Sequence, residues 1–324
     1  MRPVAVYQAW VVTPVTIMPL ADLSTSSFAT AATAAVLGAA ALAMLLWRRG
    51  AIAGTTMIGP WGWAVLSIVT VSAVEVIVAV TTAPSGDATP AAAPARWVDP
   101  LRYAAAMTSF CPLMALLGAK RPQDRAWVFI VLSLLLVLAL PSAEVLLPAG
   151  RGPLTVHPLR GSFLLLLVAA GPLNTLLTRY WSAGILLAAG QVALAGPHLP
   201  IVARWMSRPA PLWGLGLIVL AAGMAAVAWP RGARASPPDQ RVWIDFRDTY
   251  GVVWGLRVVQ RLNQELAKLA GAPALTWHGW SSPDGCSSLG QVPPETLAEA
   301  QQHLEALLLR FVSRAWIERR RARA

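Results

Sequence analysis

Five polar side chains sit inside stretches that are otherwise aliphatic: Glu75, Arg102, Glu144, Gln191 and His198. Facing carboxylates beside a histidine can hold a proton or a cation, because burial raises a carboxyl's pKa until it exchanges protons near neutrality. Arg102 is the natural counter-ion for Glu75 or Glu144, and Gln191 adds hydrogen bonds from deeper in the same layer. The structural alternative is a single interhelical tie between Glu75 and Arg102, with Glu144 and His198 reaching interfacial water. The scarcity of charges favours the tie, since a relay across a membrane also needs acceptors in the other half. Only Ser109, Cys111 and Asn174 are placed for that, and of these only the thiol titrates near neutrality.

Other chemistry finds no pattern to rest on. There is no phosphate-binding loop with its lysine, no metalloprotease histidine pair and no glycine-flanked serine nucleophile. The two cysteines, Cys111 and Cys286, fall in segments expected on different sides of a membrane, so neither a disulfide nor a zinc site is expected. His157 and His198 could bracket a haem or metal near the tryptophan-rich "GPWGWAV", but those tryptophans read more simply as interfacial anchors. Asp245 and Asp248 read as complements to a helix dipole. No catalytic, metal or cofactor site is assigned.

The elements that must position these residues follow from composition. The 324 residues are 56% hydrophobic and only 13% charged, and the mean hydropathy is +0.57, which belongs in a bilayer. Crossing roughly 30 Å of hydrocarbon takes about 20 apolar residues, and seven windows are read as spans. They are Ser26–Trp47, Trp61–Thr81, Leu101–Gly118, Ala126–Leu147, Gly161–Leu177, Trp181–Leu199 and Leu212–Trp229. Glu75 then lies roughly 6 Å from the midplane at about 1.5 Å per residue, where an unpaired charge costs several kcal/mol.

Orientation follows arginine, because cytoplasmic loops retain positive charge. Arg48 and Arg49 follow the first span, so the amino terminus is expected outside and the carboxy terminus in the cytoplasm of a bacterial-type plasma membrane. Residues 1–25 are expected to be an outer segment, with a signal peptide or a start at Met18 as alternatives. The net charge of +11 reads as topology signals and contact with anionic headgroups; no nucleic-acid-binding signature accompanies it.

Within the span region, "CPLMALL" and "GPLNTLL" resemble each other, suggesting a duplicated hairpin in which Pro112 and Pro172 are equivalent helix kinks. In the first span Ala31, Ala35, Ala39 and Ala43 recur every four residues, beside Thr30, Ala34 and Gly38, offering a smooth packing face.

Residues 230–241 read as a linker and 242–324 as a small, mainly helical cytoplasmic domain. Phe246, Tyr250, Trp254, Val258, Leu262 and Leu266 form one apolar stripe of a helix that Gly271 ends; "ALTWHGW" reads as a strand, and a second amphipathic helix starts near Pro294. So small a core must lean on the spans, a second copy or another protein. Trp316, Arg319, Arg320, Arg321 and Arg323 suit lipid or partner contact. The fold class expected is therefore an all-α polytopic membrane protein with about seven spans, a mainly helical cytoplasmic domain and at most one or two short strands. Its expected role is that of a non-enzymatic scaffold or assembly component that binds a protein partner, or itself, through that domain. The alternatives are a proton-linked permease using Glu75, Glu144 and His198, and an enzyme handling lipid or haem.

Overall fold

A computed structural model of the chain describes residues 27–82, 96–147, 154, 156–206, 210–235, 238–269, 271–282 and 292–322. Residues 1–25, Cys286 and Arg323 lie outside them. Helices α1 (Ser27–Trp47), a single turn α2 (Arg49–Ile52) and α3 (Ile58–Thr81) come first, followed by α4 (Val98–Thr108), α5 (Cys111–Leu117) and α6 (Asp124–Leu146). Next are α7 (Pro158–Thr175), α8 (Trp181–Ala195), α9 (Ala210–Ala235) and α10 (Pro238–Leu266). A hairpin of β1 (Ala274–Thr276) and β2 (Gly279–Ser281), then α11 (Pro294–Leu308) and α12 (Arg314–Arg321), complete the order.

Among the described residues four helices are long and apolar enough to cross a membrane: α1, α3, α6 and the 210–228 part of α9. The third, fifth and sixth windows make shorter or less apolar elements. Turns at Ser109–Phe110 divide the third into α4 and α5. The fifth, α7, is diluted by Arg160, Pro172 and Asn174. The sixth, α8, is 15 residues, about 22 Å of helix, prolonged by a 3₁₀ turn at Gly196–His198. Helix also occupies most of 230–241, because α9 runs on to Ala235 and α10 begins at Pro238.

Helices α3, α1, α9, α8 and the α4–α5 pair close a ring, with α6 packed outside α4 and α5 and α7 outside α8. The outer helices turn large apolar groups away from the protein, including Phe129, Leu136 and Val137 on α6 and Leu166 on α7. In water such surfaces drive association; against lipid they are ordinary.

The buried face of α1 is Ala31, Ala34, Gly38 and Ala41, whereas Ala35, Ala39 and Ala43 are exposed. Strict four-residue spacing drifts by about 40° per step around a helix of 3.6 residues per turn, so it cannot follow one contact line. Alternating steps of three and four do follow it. At Gly38 the approach is closest: a Cβ there would lie 2.2 Å from Ser72 Oγ.

Pro112 and Pro172 occupy different local structures. Pro112 is the second residue of α5, just after the turns that end α4, while Pro172 lies within a continuous α7. The end of α4 is closed by its own hydroxyls, Thr108 Oγ1 donating to the Ala105 carbonyl (2.6 Å) and Ser109 Oγ to that of Ala106 (2.7 Å).

The C-terminal unit is built on α10, whose stripe of Phe246, Tyr250, Trp254, Val258, Leu262 and Leu266 is buried. The spacing predicts one continuous helix there, yet Gly251 (φ 76°, ψ −168°) breaks it, a conformation open essentially to glycine alone. "ALTWHGW" forms a complete hairpin rather than one strand, with Leu275 paired to Trp280 and Gly279 at φ 130° closing the turn.

Candidate functional site

Two buried polar assemblies stand out, one within the bundle and one beneath it. In the first, Glu75 on α3 is 3% exposed and faces Arg102 in the second turn of α4. The guanidinium grips it in a fork, Nε donating to Oε1 at 2.9 Å and Nη2 to Oε2 at 2.7 Å. Such bidentate pairs are the strong form of charge-assisted bond. His198, in the 3₁₀ turn after α8, sets its ring edge-to-face against Tyr103, the neighbour of Arg102, at 5.5 Å.

The other expected members lie apart from this pair. Gln191 donates from Nε2 to the Ser109 carbonyl (2.8 Å), at the division between α4 and α5. Glu144 is exposed near the end of α6 and forms no ion pair among the described residues. Among those residues no three His, Cys, Asp or Glu side chains group as metal ligands. Each Glu75 oxygen accepts one N–H from Arg102, so the carboxylate's charge is already matched by the guanidinium.

The second assembly joins the C-terminal unit to the ends of three helix pairs. Aromatic rings form its centre: Phe246 stacks on Tyr250 at 4.6 Å, and Phe311 sets its edge against Phe246, Tyr250 and Trp254 at 5.3, 5.4 and 5.0 Å. The Tyr250 hydroxyl donates to the Phe311 carbonyl at 2.8 Å and lies 3.0 Å from Thr56 Oγ1, which donates to the Ala119 carbonyl at 2.6 Å. Burial pushes the Tyr250 phenol up to about 12, so it remains a donor. Trp254 Nε1 donates to the Leu116 carbonyl (2.9 Å) and Trp277 Nε1 to that of Leu177 (3.0 Å).

At the break in α10 the missing helical partner is supplied from α7. Val253 N–H donates to Asn174 Oδ1 at 3.0 Å. The contact is so close that a Cβ on Gly251 would lie 2.5 Å from the Asn174 carbonyl oxygen.

Around this core, two carboxylates meet three guanidiniums. Asp245 accepts from Arg179 Nη2 (2.8 Å) and faces Arg320 Nε (3.2 Å). Asp248 accepts from Arg247 Nη2 (2.9 Å) and faces Arg179 Nε (3.3 Å). Arg179 comes from the α7–α8 connection, Arg320 from α12, and both aspartates from α10. The Arg320 guanidinium also covers the Trp316 ring at 3.6 Å, a close cation–π contact.

The C-terminal residues read as lipid or partner contacts divide accordingly. Trp316 and Arg320 are interior. Arg319 donates to the Ala53 carbonyl (2.9 Å) and Arg321 pairs with Glu305. The two aspartates act as ion-pair centres rather than as complements to a helix start. A partial signal existed in Asp245, about 100° around the helix from the stripe residue Phe246 and so beside the core, whereas Asp248, about 160° away, lies almost opposite it. The partner Arg179 carried no such mark.

The fold and these two assemblies define a mostly helical chain with, among the described residues, four helices fit to cross a membrane and a C-terminal unit packed against the helix ends. Comparison with protein-family models, with curated proteins and with solved structures finds no match.

Proposed function

We propose that the protein crosses a bacterial-type plasma membrane seven times, amino terminus outside, and serves as a non-enzymatic scaffold or assembly component whose cytoplasmic C-terminal unit presents the partner-binding surface. The observation that carries this is the docking of that unit. Residues 53–56, 119–121 and 174–179, three connections that the positive-inside reading puts on one side, all bond to it. A unit tied to the helix ends by ion pairs to Arg179 and by tryptophan hydrogen bonds holds a fixed attitude to the bilayer, as a scaffold requires. Reporter fusions after Arg121, Arg179 and Arg231 test the topology: all three are expected to report from the cytoplasm. Capture of partners should use the full-length chain, since the isolated unit would leave Asp245 and the aromatic core uncovered. A scaffold loses its partners when 240–324 is removed.

The second reading is a permease. It draws on the polar groups in the ring's interior, where Thr108 Oγ1 meets Ser67 Oγ at 3.2 Å and Gln191 reaches Ser109. Under that reading Glu75→Gln abolishes proton-linked flux in proteoliposomes; unchanged flux rules out a proton role for Glu75.

A further inference from the structure

We infer that the turn of α10 following its break, Val252–Arg257, lies in the cytoplasmic interface of the bilayer, Leu256 among acyl chains and Arg257 on the phosphates of anionic lipid. This rests on the membrane reading above. The depth of the turn is fixed from two sides: Val253 is bonded to Asn174 at the end of α7, and Trp254 to Leu116 at the end of α5. At that level the bundle exposes Leu117, Leu176, Leu177 and Trp181, a rim of large apolar groups suited to lipid. Leu256, 51% exposed, is the exposed apolar side chain of this turn.

The adjacent charge has the sign and the support that headgroups call for. Arg257 is exposed, and its guanidinium lies 4.9 Å from the centroid of the Trp254 ring. That support leaves its N–H edges available for phosphate, and an anionic leaflet attracts it. Arg261, one turn on, is engaged by Glu265 at 2.8 Å and contributes less. An apolar side chain followed by a stacked arginine is the pattern of a segment lying in a membrane surface.

Fluorophores at Leu256→Cys and, as a control on the bundle, Leu177→Cys test this in the full-length chain carrying Cys286→Ser, with Cys111 buried against labelling. The chain is reconstituted in phosphatidylcholine vesicles with or without phosphatidylglycerol. Nitroxide-labelled acyl chains should quench both positions by about half, with iodide in the water quenching neither. With the nitroxide on phosphatidylglycerol rather than on phosphatidylcholine, quenching at position 256 should rise about twofold, Arg257→Gln should abolish that preference, and position 177 should show none; equal quenching by the two lipids at position 256 overturns the assignment of Arg257. Quenching of 256 by iodide alone, or by neither agent because protein covers it, overturns the inference while 177 still reports lipid. Iodide quenching at both positions overturns the membrane reading itself, and the inference with it.

Discussion

Glu75–Arg102 and the Asp245–Asp248 assembly are both buried ionic arrangements in the same chain, but they solve different problems. The first joins two neighbouring helices and closes on itself, each carboxylate oxygen matched to one guanidinium donor. The second spans three elements distant in sequence and shares its arginines, Arg179 touching both aspartates. A closed pair can be replaced as a unit by apolar side chains. A shared network cannot, because each member completes more than one neighbour. The difference assigns the bundle pair to local packing and the lower network to holding the C-terminal unit in place.

The sharpest way to break this comparison is Asp245→Ala. It deprives two largely buried guanidiniums, Arg179 and Arg320, of a carboxylate, and removing one side of a buried pair costs about 3–5 kcal/mol. Thermal unfolding in detergent should fall accordingly, and limited proteolysis should release the C-terminal unit before the helices are cut.

Arg102→Met comes next and separates the two cases. It strands Glu75, whose side chain is 4% exposed, whereas Glu75→Leu strands Arg102, which is 26% exposed and can reach water. The first should cost about 3 kcal/mol and the second less, with the double variant returning to within about 1 kcal/mol of the parent. A double variant as unstable as Arg102→Met would show that the pair is not self-contained.

Gly251→Ala tests the joint between the regions by a route without charge. Strain at that backbone conformation costs about 1–3 kcal/mol, and the added methyl would collide with the Asn174 backbone. Loss of the Val253–Asn174 bond should appear as faster hydrogen exchange in the first turn after the break. Gly38→Ala would also bring its methyl 2.7 Å from Ser72 Cβ, which no rotation of Oγ relieves, so α1 and α3 must part and the cost should be about 1–3 kcal/mol.

How much of this was legible in the sequence follows the same division. The long helices are legible because apolar length alone specifies them, and Arg102 stands out as a counter-ion for Glu75 because few charges compete inside a bilayer. The α10 stripe was legible because its aromatic residues repeat at helical spacing. The break at Gly251 was not, since an isolated glycine in a helical pattern is usually tolerated and only the approach of α7 makes it necessary. Arg179 was equally hidden: at a helix end it reads as a topology signal, and its role depends on aspartates that follow it by 66 residues or more. The α1 face departs from the alanine repeat for a geometric reason, four-residue spacing being close to, but not the same as, the helical repeat.

The smallest expected effect sharpens the comparison from the solvent side. Glu265 near the end of α10 also sits among cations, with Lys268 Nζ at 2.6 Å and Arg261 Nη2 at 2.8 Å. The hydrogen bond from Lys268, then its charge and that of Arg261, hold this carboxyl below its ordinary range. A depressed carboxyl contributes stability that is present above the unfolded-state pKa and fades as pH falls through the folded one. Unlike Asp245, this group is open to water, so salt screens its interactions. Glu265→Gln should therefore lower the melting temperature slightly at neutral pH and low salt, and not at all in high salt or in acid. Asp245→Ala should keep its effect in high salt. If the two substitutions responded to salt alike, burial would not be what distinguishes the network from a surface cluster of the same charges.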